Sequence, residues 1–189
     1  MKPYKIYTAE TATPPADKLL YAVEDMIGFV PNVFAVLAES EASLRAFIQL
    51  NTQLSESDFN ATEREIIQTA ASVENQCNYC VAGHTAFADM QGVDNKTIQA
   101  VRNNEVIEQP KLQALNQFTR TLVNKKGAVS RQQLDNFLSA GYSPKNALDV
   151  ILGICVKTFS NYANNMIGIP LDDQFVPYQW QSKSGKAAA

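Results

Sequence analysis

From Ala16 to Met166 the apolar residues recur three and four positions apart, and nowhere do they alternate with polar ones over the length of a strand. That period lays apolar side chains along one face of successive helices and leaves no half-buried sheet to build from. No hairpin turn signal interrupts it. The fold class is therefore all-α, with about eight helices, and the breakers place their ends. Leu19, Leu20, Val23, Met26 and Ile27 make one face of a helix over 16–27, stopped by Gly28 and Pro31. A short helix follows through Val33, Phe34, Val36 and Leu37, and Ser40 caps the next, which runs to about Ser55.

Further along, Thr62 and Glu65 have the spacing of a capping box, Thr62 as N-cap and Glu65 as its N3 partner. The helix they open carries Ile66, Ile67, Ala70, Ala71 and Val73, and its period falters at Glu74-Asn75-Gln76, which predicts a break or sharp turn. A second helix runs from about Cys77 to Met90 and stops at Gly92. Asp94 caps a short helix, Pro110 starts another at N1, Ser130 opens a third, and Ser143-Pro144 caps the most apolar helix, ending near Met166 before Gly168 and Pro170. Residues 1–15, with Pro3, Pro14 and Pro15, read as an extended arm; 16–181 as the helical domain; 182–189 as an unstructured tail. The Thr62 and Ser143 helices echo each other weakly. A repeat would set Asn161 and Asn165 where Cys80 and His84 fall, leaving that half without chemistry.

Composition excludes several classes. With a formal charge of −3 and no Lys/Arg cluster, the chain has no nucleic-acid footprint. No apolar run approaches the roughly 20 residues of a membrane span, and the first fifteen residues lack a signal-peptide core. Three cysteines are too few for a disulfide framework in a chain of 189 residues, so a cytoplasmic location is expected, where a close Cys pair is catalytic or metal-binding more often than structural.

The chemistry concentrates in Cys77-Asn78-Tyr79-Cys80-Val81-Ala82-Gly83-His84, which holds two of the three cysteines and the only histidine. On a helix, positions 77, 80 and 84 share one face. A Cys-x-x-Cys pair over one turn meets disulfide geometry but closes too short a loop to act as a staple. A reversible dithiol fits better, because free N–H groups at a helix N-terminus stabilise a thiolate. By this argument Cys77 stands nearer the helix start, whereas His84, one turn past Cys80, is placed to take the Cys80 proton.

An imidazole works better when a carboxylate orients it. On one straight helix Glu65 would lie about 18 Å from Cys77. If the chain folds back near Asn75, Glu65 and His84 stand at nearly the same height on antiparallel helices. Glu65 thus has two readings, capping residue or member of a Glu–His–Cys relay, and the second requires the break at 75. Glu63 serves in neither role by spacing.

Glu65, the Asn75-Gln76-Cys77-Asn78-Tyr79-Cys80 run and His84 together resemble the AhpD-like alkylhydroperoxidases of the carboxymuconolactone decarboxylase family. The resemblance is close over 44–91 and extends to Gly28-Phe29-Val30-Pro31-Asn32 and Gly168-Ile169-Pro170-Leu171-Asp172. It implies an AhpD-like helical domain acting as a dithiol peroxidase on small-molecule hydroperoxides. Cys80 would be the attacking thiolate, Cys77 the resolving thiol, and Glu65 and His84 the proton relay. It also implies a dithiol donor, in the family a dihydrolipoyl protein, a trimeric or hexameric homo-oligomer, and no cofactor. The chain departs from some members in placing Tyr79 where they carry a second His.

Rival readings stay open at this stage. A zinc site would need Glu65 to complete Cys77, Cys80 and His84. A lactone decarboxylase would not ordinarily carry the Cys pair. A general thiol–disulfide oxidoreductase or a redox sensor would use the pair without peroxidase turnover. Cys155, among Ile151, Leu152, Ile154 and Val156, reads as a buried small hydrophobe.

Overall fold

The helix that organises the molecule is the one whose whole circumference is covered. The computed structural model describes residues 4–182, and its elements are α1 (Ala16–Ile27), α2 (Asn32–Leu37), α3 (Glu41–Ser55), α4 (Ala61–Glu74), α5 (Asn78–Met90), α6 (Asn95–Asn103), α7 (Pro110–Asn124), α8 (Arg131–Ser139), α9 (Pro144–Ile167) and a 3-10 helix, Asp173–Tyr178. α4 packs against α5, α6, α7 and α9. Its buried residues include Glu65, Ile66, Ile67, Gln68, Thr69, Ala70, Ala71 and Ser72, so it presents no solvent face over two turns. The small side chains at 69–72 let neighbouring helices come close. Among the described residues there is no strand, and no helix is long and apolar enough to cross a membrane.

Two apolar cores flank α9. Ile66, Ile67, Val101, Leu115, Phe118, Leu122, Phe137 and Val150 join α4 to α6, α7, α8 and the start of α9. Leu20, Val36, Leu44, Phe47, Leu54 and Val156 join α1, α2 and α3 to its middle. α9 touches both because Gly153 lies directly over α4: a Cβ there would stand 2.6 Å from Ile67 Cγ2. A third cluster is aromatic. Phe175 of the 3-10 helix is buried against Phe29, Tyr79 and Phe87, and its ring lies 3.2 Å from where a Cβ on Gly83 would be. The C-terminal segment thereby closes over α5.

The expected break is present, and its geometry is a Schellman ending of α4. The Cys77 N–H donates to Ser72 O and the Gln76 N–H to Val73 O, with Gln76 at φ 55°. Glycine usually takes that left-handed position. Here α9 holds the turn from outside: Asn165 donates to Asn75 O (2.8 Å), Asn75 to Asn161 Oδ1 (2.9 Å), and Asn161 to Ser72 Oγ (3.2 Å). The echo between α4 and α9 does not extend to shape, since α9 is continuous where the chain between α4 and α5 folds back.

Two sequence expectations are corrected. The N-cap of α4 lies two residues earlier than Thr62: it is Asn60, whose Oδ1 accepts from Glu63 N–H and whose own N–H donates to Glu63 Oε2. The sequence contains both boxes, and Asn is the stronger cap. Glu63, not Glu65, therefore serves the helix end. Cys155 is exposed rather than buried. α9 turns Leu148, Ile151, Cys155, Tyr162 and Met166 outward on one face, because its other faces are already taken by α3 and α4. The N-terminal segment sends Tyr4, Tyr7, Ala9 and Ala12 into the α1–α3 core. The tail expected over 182–189 lies, beyond Ser182, outside the described residues, as do residues 1–3 of the expected arm.

Candidate active site

Released from capping, Glu65 projects from the second turn of α4 toward α5. Its Oε2 lies 2.8 Å from His84 Nδ1, and its Oε1 accepts from Gln91 Nε2 at 2.9 Å. A carboxylate on Nδ1 keeps the proton on that nitrogen and leaves Nε2 as the acceptor of the neutral ring. The partner on Nε2 is Lys157, whose Nζ stands 2.6 Å away. Glu65, His84 and Lys157, from three different helices, thus form one buried line of hydrogen bonds.

Burial controls the electrostatics of that line. Lys157 is 4% exposed, and loss of hydration pushes its ammonium down to about 7 against the opposing pull of Glu65. The same burial, with the Lys157 charge beside it, holds His84 below the ordinary imidazole range despite Glu65. The pair shares few protons near neutrality: His84 is neutral there, and Lys157 alternates between amine and ammonium.

The cysteines sit at the start of α5. Cys77 is its N-cap, and Cys77 and Cys80 are joined in a disulfide with Cα atoms 5.3 Å apart. Both are buried. The Cys80 N–H donates to Cys77 Sγ at 3.3 Å, and Asn164 Nδ2 of α9 donates to Cys80 Sγ at 3.5 Å. Asn164 Oδ1 is buried and has no hydrogen-bond partner among the described residues. Both ring nitrogens of His84 are engaged elsewhere, so no hydrogen bond joins His84 to Cys80 among the described residues.

What joins them is a cavity of about 620 Å³. The polar residues Glu65, His84, Lys157 and Asn164 line it together with Cys80 and the apolar Phe34, Phe47, Ile48, Leu54, Phe87 and Phe175. A chamber of this size, apolar with a few converging polar groups, suits a small organic molecule. Tyr79 is also part of its wall. The Tyr79 hydroxyl donates to Asp172 Oδ2 (2.5 Å) and accepts from Val33 N (3.2 Å), while Asp172 Oδ1 accepts from Asn32 N (2.9 Å). Burial raises Asp172 against these bonds, and burial with the neighbouring carboxylate raises Tyr79. The two distant segments, 28–33 and 168–172, therefore meet at Tyr79, one of the two residues between the cysteines.

Sequence reasoning named Glu65, Cys77, Cys80 and His84, and the structure brings all four into one neighbourhood. It missed Lys157 and Asn164. A signal for Lys157 existed: it is the one charge in the apolar run from Val150 to Phe159. Asn164 had none, and the echo with α4 pointed instead at Asn161 and Asn165, which hold the turn. Among the described residues no three His, Cys, Asp or Glu side chains are placed to share a metal ion.

The model of the carboxymuconolactone decarboxylase family matches residues 41–120, a span that contains Glu65, both paired cysteines and His84. Among solved structures, the chain is similar to an alkylhydroperoxidase AhpD core, an uncharacterized peroxidase-related protein from Ralstonia eutropha JMP134. Identity is 26% and the TM-score 0.82, over 91% of this chain and 93% of that one. A peroxidase-related protein from Silicibacter sp. TM1040 is 20% identical with a TM-score of 0.76, covering 93% and 97%. The debrominase Bmp8 is 16% identical with a TM-score of 0.75, covering 87% and 90%. At these lower identities the likeness is one of fold. A comparison with curated proteins finds no significant match.

Proposed function

We propose that this chain, whose residues 41–120 match the model of the carboxymuconolactone decarboxylase family and whose fold is AhpD-like, is a dithiol peroxidase for organic hydroperoxides. The observation that carries the reading is the shared chamber: Cys80 and the Glu65–His84–Lys157 line face one apolar space large enough for an alkyl or aryl hydroperoxide. In the reduced protein the Cys80 thiolate attacks the terminal peroxide oxygen, the O–O bond breaks, and the alkoxide takes a proton to leave as the alcohol. Lys157, poised between amine and ammonium, supplies that proton, and His84, held by Glu65, helps restore it. Cys80 is left as the sulfenic acid. The Cys77 thiol then attacks the Cys80 sulfur, releasing water and forming the disulfide. A dithiol donor reduces that disulfide and is itself oxidised to a disulfide.

In this reading Lys157, against His84 Nε2, supplies a second protonatable group where the chain has Tyr79 in place of the second His that some members carry before the second cysteine. Asn164 Nδ2 offers the Cys80 thiolate a hydrogen bond. The reading includes a cytoplasmic setting and a homo-oligomer, trimer or hexamer. The outward apolar row of Leu148, Ile151, Tyr162 and Met166 on α9 supports the latter.

The test is consumption of cumene hydroperoxide with dithiothreitol as donor. Cys80→Ser should abolish it, and Cys77→Ser should leave a sulfenic acid that dimedone traps. Glu65→Gln and Lys157→Met should each slow it by about 10²–10⁴, the usual range for loss of a positioned acid or base. Turnover at the wild-type rate in Cys80→Ser would sink the proposal. A disulfide that cycles with dithiols while hydroperoxide is left untouched would make the protein a thiol–disulfide oxidoreductase instead.

A further inference from the structure

The two cysteines border different cavities. Cys80 lines the apolar chamber, whereas Cys77 lines a second cavity of about 520 Å³ beyond the first turn of α5. Glu74, Asn75, Gln76, Asn78, Asn165 and Gly168 are among its walls, and of its lining only Tyr79 and Asn164 also border the chamber. The partition between the two spaces is thus the disulfide with one tyrosine and one asparagine.

Thiol–disulfide exchange proceeds in line: the incoming thiolate approaches the attacked sulfur from the side opposite the leaving sulfur, and access decides which sulfur is attacked. A donor in the second cavity meets Cys77 and expels Cys80. A donor in the chamber would do the reverse and compete with hydroperoxide for the same space. The groups present favour the first direction. The departing Cys80 sulfur already accepts from Asn164 Nδ2, and Lys157 stands in the chamber it faces. The buried Asn164 Oδ1, unpartnered and on the shared wall, offers an acceptor to an incoming thiol or hydroxyl. The second cavity carries no Lys or Arg, and its one carboxylate, Glu74, is already bound by Arg120 and Asn124. Most of the polar side chains in its wall are carboxamides, beside Tyr79 and Ile169, which suits an uncharged dithiol bearing amide or hydroxyl groups.

We propose that the amide-walled cavity beside Cys77 receives the dithiol reductant, which attacks Cys77 and expels Cys80 as thiolate, so that reductant and hydroperoxide reach the two sulfurs from separate spaces. The inference rests on the peroxidase reading for its second substrate. In the first step one donor thiolate bonds to Cys77 and the Cys77–Cys80 bond breaks. In the second, the donor's other thiol loses its proton and attacks the donor sulfur held by Cys77. That step closes the donor's disulfide and frees Cys77, which takes up a proton. Two electrons pass from donor to protein, and Cys80 is left charged and facing the chamber for the next hydroperoxide.

The test separates the two half-reactions in the full chain. The disulfide form is mixed briefly with 2-mercaptoethanol, quenched with N-ethylmaleimide and mapped by mass spectrometry. The adduct is expected on Cys77 with the maleimide on Cys80; the opposite placement overturns the proposal. Rapid mixing then measures the dithiothreitol arm on oxidised protein and the cumene hydroperoxide arm on reduced protein. Asn165→Trp, which fills the second cavity, should slow the dithiothreitol arm at least tenfold relative to the hydroperoxide arm. Thr52→Trp, at the chamber's exposed rim, should shift that ratio the other way. Ratios that do not move, or move together, refute separate access. If reduced wild-type protein consumes no hydroperoxide, the peroxidase reading fails, while the position of the trapped thiol still decides this inference.

Discussion

Replacing Lys157 with methionine tests the electrostatic core of the site through stability alone. The side chain is 4% exposed and its ammonium is pushed by burial from 10.5 down to about 7. In the unfolded chain it titrates at the ordinary value. Between pH 7 and 10.5 the unfolded state therefore holds a proton that the native state has released, so native stability rises with pH across that window. Below pH 7 both states are charged and the native one carries the full burial cost. A displacement from 10.5 to about 7, at about 1.4 kcal/mol for each pH unit, is on the order of 5 kcal/mol. Methionine keeps the stem and cannot titrate; the bond to His84 Nε2 is lost with the amine, and its pH dependence belongs to the Lys157 titration that the comparison reads. Urea unfolding of the disulfide form at pH 7, 8, 9 and 10 reads the result. Relative to wild type, Lys157→Met should be most stable at pH 7 and lose several kcal/mol of that advantage by pH 10. Subtracting the two curves cancels the raised tyrosines, Tyr79 and Tyr142, which both proteins share. A difference that stays flat from pH 7 to 10 would mean that Lys157 titrates as a hydrated amine, and the proton line built on it would fall.

Gly153→Ala should destabilise the fold by about 1–3 kcal/mol, because the new methyl would stand 2.6 Å from Ile67 Cγ2 between two packed helices; thermal melting should fall by roughly 2–4 °C for each kcal/mol, and an unchanged midpoint would show that α9 lifts off α4 freely. Thiol titration with Ellman's reagent should find one reactive group in the native oxidised protein, the exposed Cys155, and three after reduction and unfolding. No reactive thiol in the native protein would mean that the outer face of α9 is covered.

The linear order of residues determined the helices and most of their ends. Period and punctuation suffice where a helix buries one stripe, as in α1 or α7, and where caps are local, as at Ser40, Ser130 and Ser143. The break at Asn75 was legible for the same reason, since a failed period is a local fact. So was the Cys-x-x-Cys-His constellation, whose members lie on one helix and its N-cap. Which of two overlapping capping boxes closes was not: Asn60 with Glu63 and Thr62 with Glu65 both satisfy the spacing. The choice fell to the stronger cap and to Tyr142, which donates to Glu63 Oε1 at 3.0 Å from 79 residues away. That long-range contact left Glu65 free for His84. Tertiary packing alone decided the rest. It set Lys157 on His84 and Asn164 on Cys80 across more than 70 positions of chain, turned Cys155 outward, and set each half of the disulfide against a different cavity. Hydrophobic period says that a side chain is inside; which other buried group it meets there depends on how whole helices cross, and that is settled only when the core is packed.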